Sequence, residues 1–203
     1  MSVNRPLFLA LRGFLRWVLK APFWGLKGFR VVGAERLPRR RTPLILACNH
    51  AAFIDSVYLI LAAPARFTIC GAKPRLFRSA PLRFAMALAN ILRVDNREQF
   101  LADTGELLAA GETLLIYPEM GRFPEALGEF KTWAAEVALA HRVPLLPCYL
   151  YGTTRGQRGA PRLVVGEPLE PSGDPVDLTR RLREAIVALA PKPLAATPLA
   201  GAA

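Results

Sequence analysis

Short apolar runs alternate with segments of helical character from residue 31 onward, and this alternation limits the possible folds more than any other feature. Several of the runs are apolar without interruption, which is typical of strands covered on both faces. The pattern predicts a single α/β domain whose mostly parallel or mixed sheet is flanked by helices. The predicted strands are Val31–Val32, Leu44–Cys48, Phe67–Cys70, Ile91–Val94, Thr113–Tyr117, Leu145–Tyr151 and Leu163–Gly166, and the predicted helices lie near Ile54–Ala62, Ala80–Ala89, Gln99–Ala109, Thr132–His141 and Asp177–Ala190.

The charge of the chain indicates an anionic partner. The 27 Lys and Arg residues outnumber the 16 Asp and Glu residues, which gives a net charge of +11 over 203 residues. A charge of this size is evidence about partners and leaves open nucleic acid, anionic lipid or small anionic substrates. The hydrophobic fraction of 52% favours a surface that meets something apolar. No apolar run reaches the roughly eighteen residues that a membrane-spanning helix needs.

The first thirty residues have the pattern of a helix in a membrane interface. One predicted helix face is cationic and another is apolar, and two tryptophans add rings that favour lipid headgroups. We predict that residues 1–30 associate with an anionic bilayer surface; the alternative is a helix that covers the sheet with its basic side in water. Residues 31–190 form the predicted domain, and residues 191–203 a disordered tail. The cationic residues are Arg12, Arg16 and Lys20, the apolar ones Phe8, Leu11, Leu15 and Val18, and the tryptophans Trp17 and Trp24.

Cysteine and histidine are scarce, which limits the chemistry that the chain can perform. The three cysteines lie in apolar runs without a CxxC pair, so we predict buried free thiols and neither a disulfide framework nor a zinc site. His50 and His141 are the only histidines, and their surroundings predict no metal site. Phe53, Phe77, Met86 and Trp133 have spacings more typical of core residues than of an acyl channel.

His50 and Asp55 follow the predicted strand Leu44–Cys48 and are the strongest candidates for chemistry. In one continuous helix their side chains would point about 140° apart and would not meet easily. If the strand ends at His50 and a helix begins near Ala51, the corner returns Asp55 to the imidazole. Such a pair makes a general base for an alcohol, but the spacing alone favours an ordinary loop histidine.

Four blocks of residues, in order, resemble those of the glycerolipid acyltransferases, the lysophosphatidic acid acyltransferase family. The first is Asn49-His50-x4-Asp55, which is similar to the N-H-x4-D block of that family. The resemblance runs from about Val31 to Gly166. The other blocks are Lys73-Pro74-Arg75-Leu76, Tyr117-Pro118-Glu119-Met120-Gly121-Arg122 followed by Phe130-Lys131, and Val143-Pro144-Leu145-Leu146-Pro147 followed by Gly152-Thr153.

The resemblance implies transfer of a fatty acyl group from acyl-CoA or acyl-carrier protein to 1-acylglycerol 3-phosphate, which gives phosphatidic acid. His50 is then the base and Asp55 its orienting carboxylate. The resemblance also implies that Lys73 and Arg122 bind the acceptor phosphate and that Glu119 and Gly121 belong to the substrate site. Glu119 either pairs with Arg122 or bonds a glycerol hydroxyl. No cofactor, metal or nucleic acid is expected, and the protein is expected on the cytoplasmic face of the membrane, peripheral or monotopic.

Several positions depart from the pattern of the family and leave the acceptor open. Arg75 replaces an acid, Met120-Gly121 replaces Gly-Thr, and Phe123 stands where serine is common. Trp133 occupies a position where glycine follows the Phe-Lys pair. The alternatives are therefore another lysolipid or amino-lipid acceptor, or a non-catalytic lipid-binding protein of the same fold.

Overall fold

The computed structural model describes residues 28–40, 42–63, 67–72, 79–88, 90–154 and 159–191. The predicted membrane segment 1–30 lies outside the described residues apart from its last three positions. The same holds for the predicted tail except Pro191, and for Lys73 and Phe77. What the sequence predicts for these parts stays a prediction. Among the described residues, no helix is both long and apolar enough to span a bilayer.

A seven-stranded mixed sheet forms the centre of the domain, as the sequence predicts. Its order is β1-β7-β6-β2-β5-β3-β4. Neighbouring strands are parallel except β6 and β7, which are antiparallel. The strands are β1 (Arg30–Val32), β2 (Leu44–Cys48), β3 (Phe67–Ala72), β4 (Ile91–Arg93), β5 (Thr113–Ile116), β6 (Leu145–Tyr151) and β7 (Arg162–Val165).

Five α-helices within the described residues connect or follow the strands, and capping side chains set the starting points of two of them. Asn96 accepts a hydrogen bond from the N–H of Gln99, and Asp174 accepts from the N–H groups of Val176 and Asp177. These caps begin two helices about two residues earlier than the sequence pattern indicated. The helices are α1 (Asp55–Ala62), α2 (Ala80–Leu88), α3 (Arg97–Ala109), α4 (Trp133–His141) and α5 (Pro175–Ala188); a short 3-10 helix, Ala34–Arg36, was not predicted.

The sheet separates two hydrophobic cores. Helices α3, α4 and α5 cover one face, and α1 covers the other together with Phe29 and Leu37. Strand β2 is buried between β5 and β6, and the three run parallel. Their carboxyl ends therefore open at one edge, where sheets of this kind place their sites.

The three cysteines are buried free thiols, as predicted. Burial in the core raises the pKa of Cys148 to about 12, and burial also raises the pKa values of Cys48 and Cys70. These thiols are therefore protonated packing groups rather than nucleophiles.

Candidate active site

Asn49 directly follows β2, and its side chain continues the hydrogen bonding between β2 and β6. Its Nδ2 donates to the carbonyl oxygen of Leu150 at 3.0 Å, and its Oδ1 accepts from the N–H of Leu150 at 2.7 Å. The amide thus takes the place of a backbone partner for Leu150. This pair fixes the residue that precedes His50 at the centre of the carboxyl edge.

Asp55 folds back onto the His50 ring, as the sequence predicted for a corner at the end of β2. Its Oδ2 lies 3.0 Å from His50 Nδ1 and accepts from the N–H groups of Ala51 and Ala52, both at 2.7 Å. Helix α1 begins at Asp55 rather than near Ala51, because the carboxylate binds these two amides before the helix starts. Since a carboxylate only accepts, Nδ1 carries the proton, and Nε2 keeps its lone pair for a substrate.

The Tyr117 ring packs against the imidazole of His50. The two rings are stacked at 4.0 Å between centroids with an interplanar angle of 13°. The Tyr117 hydroxyl and the Ser56 hydroxyl lie 2.8 Å apart, so Ser56 is hydrogen-bonded within the protein. Burial raises the pKa of Tyr117, which keeps the phenol neutral. The ring therefore restricts His50 without adding charge.

Glu119 ties the loop after β5 to the backbone of the histidine. Oε1 accepts from the N–H of His50 at 2.7 Å and Oε2 from the N–H of Gly128 at 2.6 Å. The residue is only 4% exposed. Burial raises its pKa to about 7, although the two amide hydrogen bonds oppose the shift. The N–H of Phe123 also donates to the carbonyl oxygen of His50, at 2.8 Å, so both backbone polar groups of His50 are held by this loop.

Arg122 lies in the same loop but does not pair with Glu119. Its guanidinium carbon lies 6.0 Å from the centroid of the Phe53 ring, at the outer limit of a cation–π contact. Among the described residues, no carboxylate forms an ion pair with Arg122. The predicted pairing of Glu119 with Arg122 is therefore not formed, and the cation is available to an anionic ligand.

Comparison with models of known families places this chain in a family. Residues 28–151, more than half of the chain, match the family model described as Acyltransferase. The chain belongs to the Acyltransferase family. The matched residues include both His50 and Asp55 and the loop from Glu119 to Phe123.

Named relatives of this Acyltransferase family member are 1-acyl-sn-glycerol-3-phosphate acyltransferases. One from Arabidopsis thaliana is 31% identical over 138 residues, which cover 65% of this chain and 37% of that protein. One from Brassica napus is 30% identical over 129 residues, which cover 61% of this chain and 37% of that protein. One from Chlamydomonas reinhardtii is 29% identical over 221 residues, which cover 96% of this chain and 65% of that protein. The chain thus spans little more than a third of the first two relatives.

A solved acyltransferase structure shares the fold. The 1-acyl-sn-glycerophosphate acyltransferase PlsC from Thermotoga maritima superposes with a TM-score of 0.73 at 22% sequence identity. The match covers 98% of this chain and 86% of that one. At this identity the likeness supports the α/β architecture alone.

Not every residue that builds this acyltransferase-family site was predicted from sequence. Asn49 was recognised as part of a block but was given no structural role. Tyr117 was recognised as the end of a strand and the first residue of a block, but it was given no role beside the histidine, and Gly128 carried no signal at all. Phe53 was assigned to the core, which is wrong because its side chain is exposed, whereas Met86 is buried and Trp133 packs against the core as expected. Gly121 lies in the loop beside Arg122, where the edge of the Phe123 ring approaches it.

Proposed function

We propose that this protein is an O-acyltransferase of phospholipid synthesis. It transfers a fatty acyl group from a thioester, acyl-CoA or acyl-carrier protein, to the free hydroxyl of 1-acylglycerol 3-phosphate and forms phosphatidic acid. The observation that carries the proposal is the contact of 3.0 Å between His50 Nδ1 and Asp55 Oδ2. The loop that binds the backbone of His50 also carries Arg122, which forms no ion pair with any described residue. The names of the relatives support the same reaction.

The proposed mechanism begins with a proton transfer from the acceptor hydroxyl to His50 Nε2. The alkoxide oxygen then forms a bond to the thioester carbonyl carbon, and the tetrahedral intermediate collapses with cleavage of the carbon–sulfur bond. The imidazolium returns its proton to the leaving thiolate, which restores the neutral histidine. Asp55 stabilises the imidazolium and holds Nδ1 protonated throughout, so each step has a defined donor and acceptor.

Arg122 supplies the proposed phosphate contact. A guanidinium stays charged and can bind two phosphate oxygens at once. Lys73 is proposed as a second contact on the basis of the resemblance between its block and that of the family. The net charge of +11 supports recruitment to an anionic membrane surface, with residues 1–30 as the proposed attachment and the cytoplasmic face as the proposed location.

The test is an acyl-transfer assay with acyl-CoA and acyl-carrier protein as donors and a panel of lysolipid acceptors, whose products are separated by thin-layer chromatography. His50→Ala should lower kcat by about 10² to 10⁴. Arg122→Ala should raise KM for phosphate-bearing acceptors by about tenfold or more, because a charge-assisted hydrogen bond is lost.

Arg39→Ala is the matched control, since Arg39 is an exposed arginine in the loop before β2, at the opposite edge of the sheet. It should leave kcat and KM unchanged. Absence of product with every donor and acceptor would point to the non-catalytic lipid-binding alternative. Full activity of His50→Ala would rule out this histidine as the base, and a preference for another acceptor would reassign the substrate.

A further inference from the structure

Two exposed phenylalanines, Phe53 and Phe123, stand at the mouth of the candidate site; we refer to this pair as the aromatic rim. Phe53 is 59% exposed and Phe123 is 42% exposed. Both belong to the small set of large apolar side chains that the described residues expose. One lies in the turn after β2 and the other in the loop after β5, the two segments that meet at His50. Single apolar residues scattered over a surface need no explanation, but two exposed rings at a candidate site do.

The backbone holds both rings of the aromatic rim in place. Phe53 lies between Ala52, whose N–H donates to Asp55, and the first turn of α1. The N–H of Phe123 donates to the carbonyl oxygen of His50 at 2.8 Å. The Phe123 ring rests directly on Gly128, where an added Cβ would come within 2.6 Å of it. The main chain that carries both rings is therefore held against the segment of His50.

Arg122 places a positive charge beside the Phe53 ring of the aromatic rim. Its guanidinium approaches the Phe53 ring, and it precedes Phe123 in the chain. A cation against one exposed ring, carried by the residue next to a second, fits a ligand with an anionic group and an adjacent apolar chain. An acceptor with its phosphate at Arg122 and its hydroxyl at His50 has a short glycerol backbone between them. Its acyl chain must then leave the site beside the rings.

Resting on the proposed function, we propose that the aromatic rim binds the acyl chain of the acceptor and sets the preference for its length. Phe123 departs from the serine common in the family, so this preference belongs to this chain. Contact with a long acyl chain buries the exposed ring faces, whereas a short chain does not reach across them. Affinity for the acceptor should therefore rise with chain length, and the rise should depend on both rings.

The test measures binding of 1-acylglycerol 3-phosphate analogues that lack the reactive hydroxyl, by calorimetry. The analogues carry short, medium and long acyl chains and are kept below their micelle-forming concentrations. The full-length wild-type protein should bind the long-chain analogue most tightly. Phe53→Ser with Phe123→Ser should weaken long-chain binding by about tenfold and leave short-chain binding unchanged.

Phe84→Ser is the matched control, because Phe84 is a similarly exposed ring on α2, beside the edge strand β4. It should preserve the dependence on chain length. An equal loss in Phe84→Ser would indicate general partitioning into lipid and would overturn the proposal. The proposal would also be overturned if the double variant Phe53→Ser with Phe123→Ser kept the dependence of affinity on chain length. A loss of affinity at every chain length, together with a lowered melting temperature, would overturn it as well. Because binding needs no turnover, a protein that binds the series normally but transfers no acyl group would contradict the proposed reaction and leave the rim supported.

Discussion

Asp55 and Glu119 are two buried carboxylates that hold the same histidine in different ways. Asp55 orients the ring, and it does so within a five-residue turn. Glu119 holds the backbone, and it reaches His50 from a loop 69 residues later in the chain. All three hydrogen bonds of Asp55 converge on one oxygen, whereas Glu119 uses one oxygen for each amide. The first carboxylate is thus suited to chemistry at the ring, and the second to joining two loops.

Among substitutions at the two carboxylates and in the loop of Glu119, the largest effect is expected from Asp55→Asn. If the Asn oxygen takes the place of Oδ2, it can keep all three hydrogen bonds and the tautomer of His50. What is lost is the negative charge that stabilises the imidazolium, so kcat should fall by about 10²-fold with little change in KM. Steady-state kinetics with circular dichroism as the control for folding would measure this. A variant with normal kcat would mean that Asp55 acts only as a cap for the turn.

The pH dependence of stability should report on the buried carboxylate of Glu119. The folded pKa of Glu119, about 7, lies above its ordinary value of 4.5, so the folded protein binds an extra proton between these values. The contribution to the free energy of unfolding is therefore complete below about pH 4.5 and is lost as the pH rises through about 7. Its size is roughly 3 kcal/mol.

Glu119→Gln removes the titrating carboxyl group. The difference in free energy of unfolding between wild type and variant should therefore change by roughly 3 kcal/mol between about pH 4.5 and about pH 7. Urea titrations of both proteins, at a series of pH values from below 4.5 to above 7, would show it. Parallel curves for the two proteins would mean that Glu119 titrates normally and that its burial costs little.

A moderate effect is expected from Gly128→Ala, which disturbs the loop bound by Glu119 and not the turn bound by Asp55. The new Cβ would lie 2.6 Å from the Phe123 ring and must displace it or the amide that binds Glu119. We expect a loss of about 1–3 kcal/mol in stability, measured by chemical denaturation. In the background of Phe123→Ala the same substitution should cost much less, because the ring is gone. An equal cost in both backgrounds would place the strain elsewhere.

The smallest effect is expected from Met120→Gly. Met120 has a φ of 49°, in the left-handed region that side chains disfavour, and the family has glycine there. The substitution should relieve this strain, while the greater freedom of glycine in the unfolded chain offsets part of the gain. We expect an increase in stability of less than about 1 kcal/mol in thermal unfolding. A clear loss would show that the Met120 side chain contributes packing that outweighs the strain.

The contrast between the local contact of Asp55 and the distant contact of Glu119 also explains what the sequence could predict. The seven strands were predicted within a few residues. The apolar runs of β2, β5 and β6 are buried on both faces, whereas β1, β4 and β7 are short and partly exposed. The contact between His50 and Asp55 was predictable because it is local and required only a corner at the end of β2. The bonds of Glu119 to His50 and of Asn49 to Leu150 were not predictable, because each joins segments of neighbouring strands whose order the residues alone do not reveal. The resemblance named Glu119 as important, but it could not show that backbone amides occupy its two oxygens.

Because all three cysteines are buried, thiol-directed reagents should not react with the folded protein. A single cysteine introduced at position 53 or 84 would then be the one site that such a reagent labels. An environment-sensitive dye attached there would report on its surroundings in real time, without removal of any native residue from the core. The packing of the sheet thus provides a background in which one position at a time can be observed.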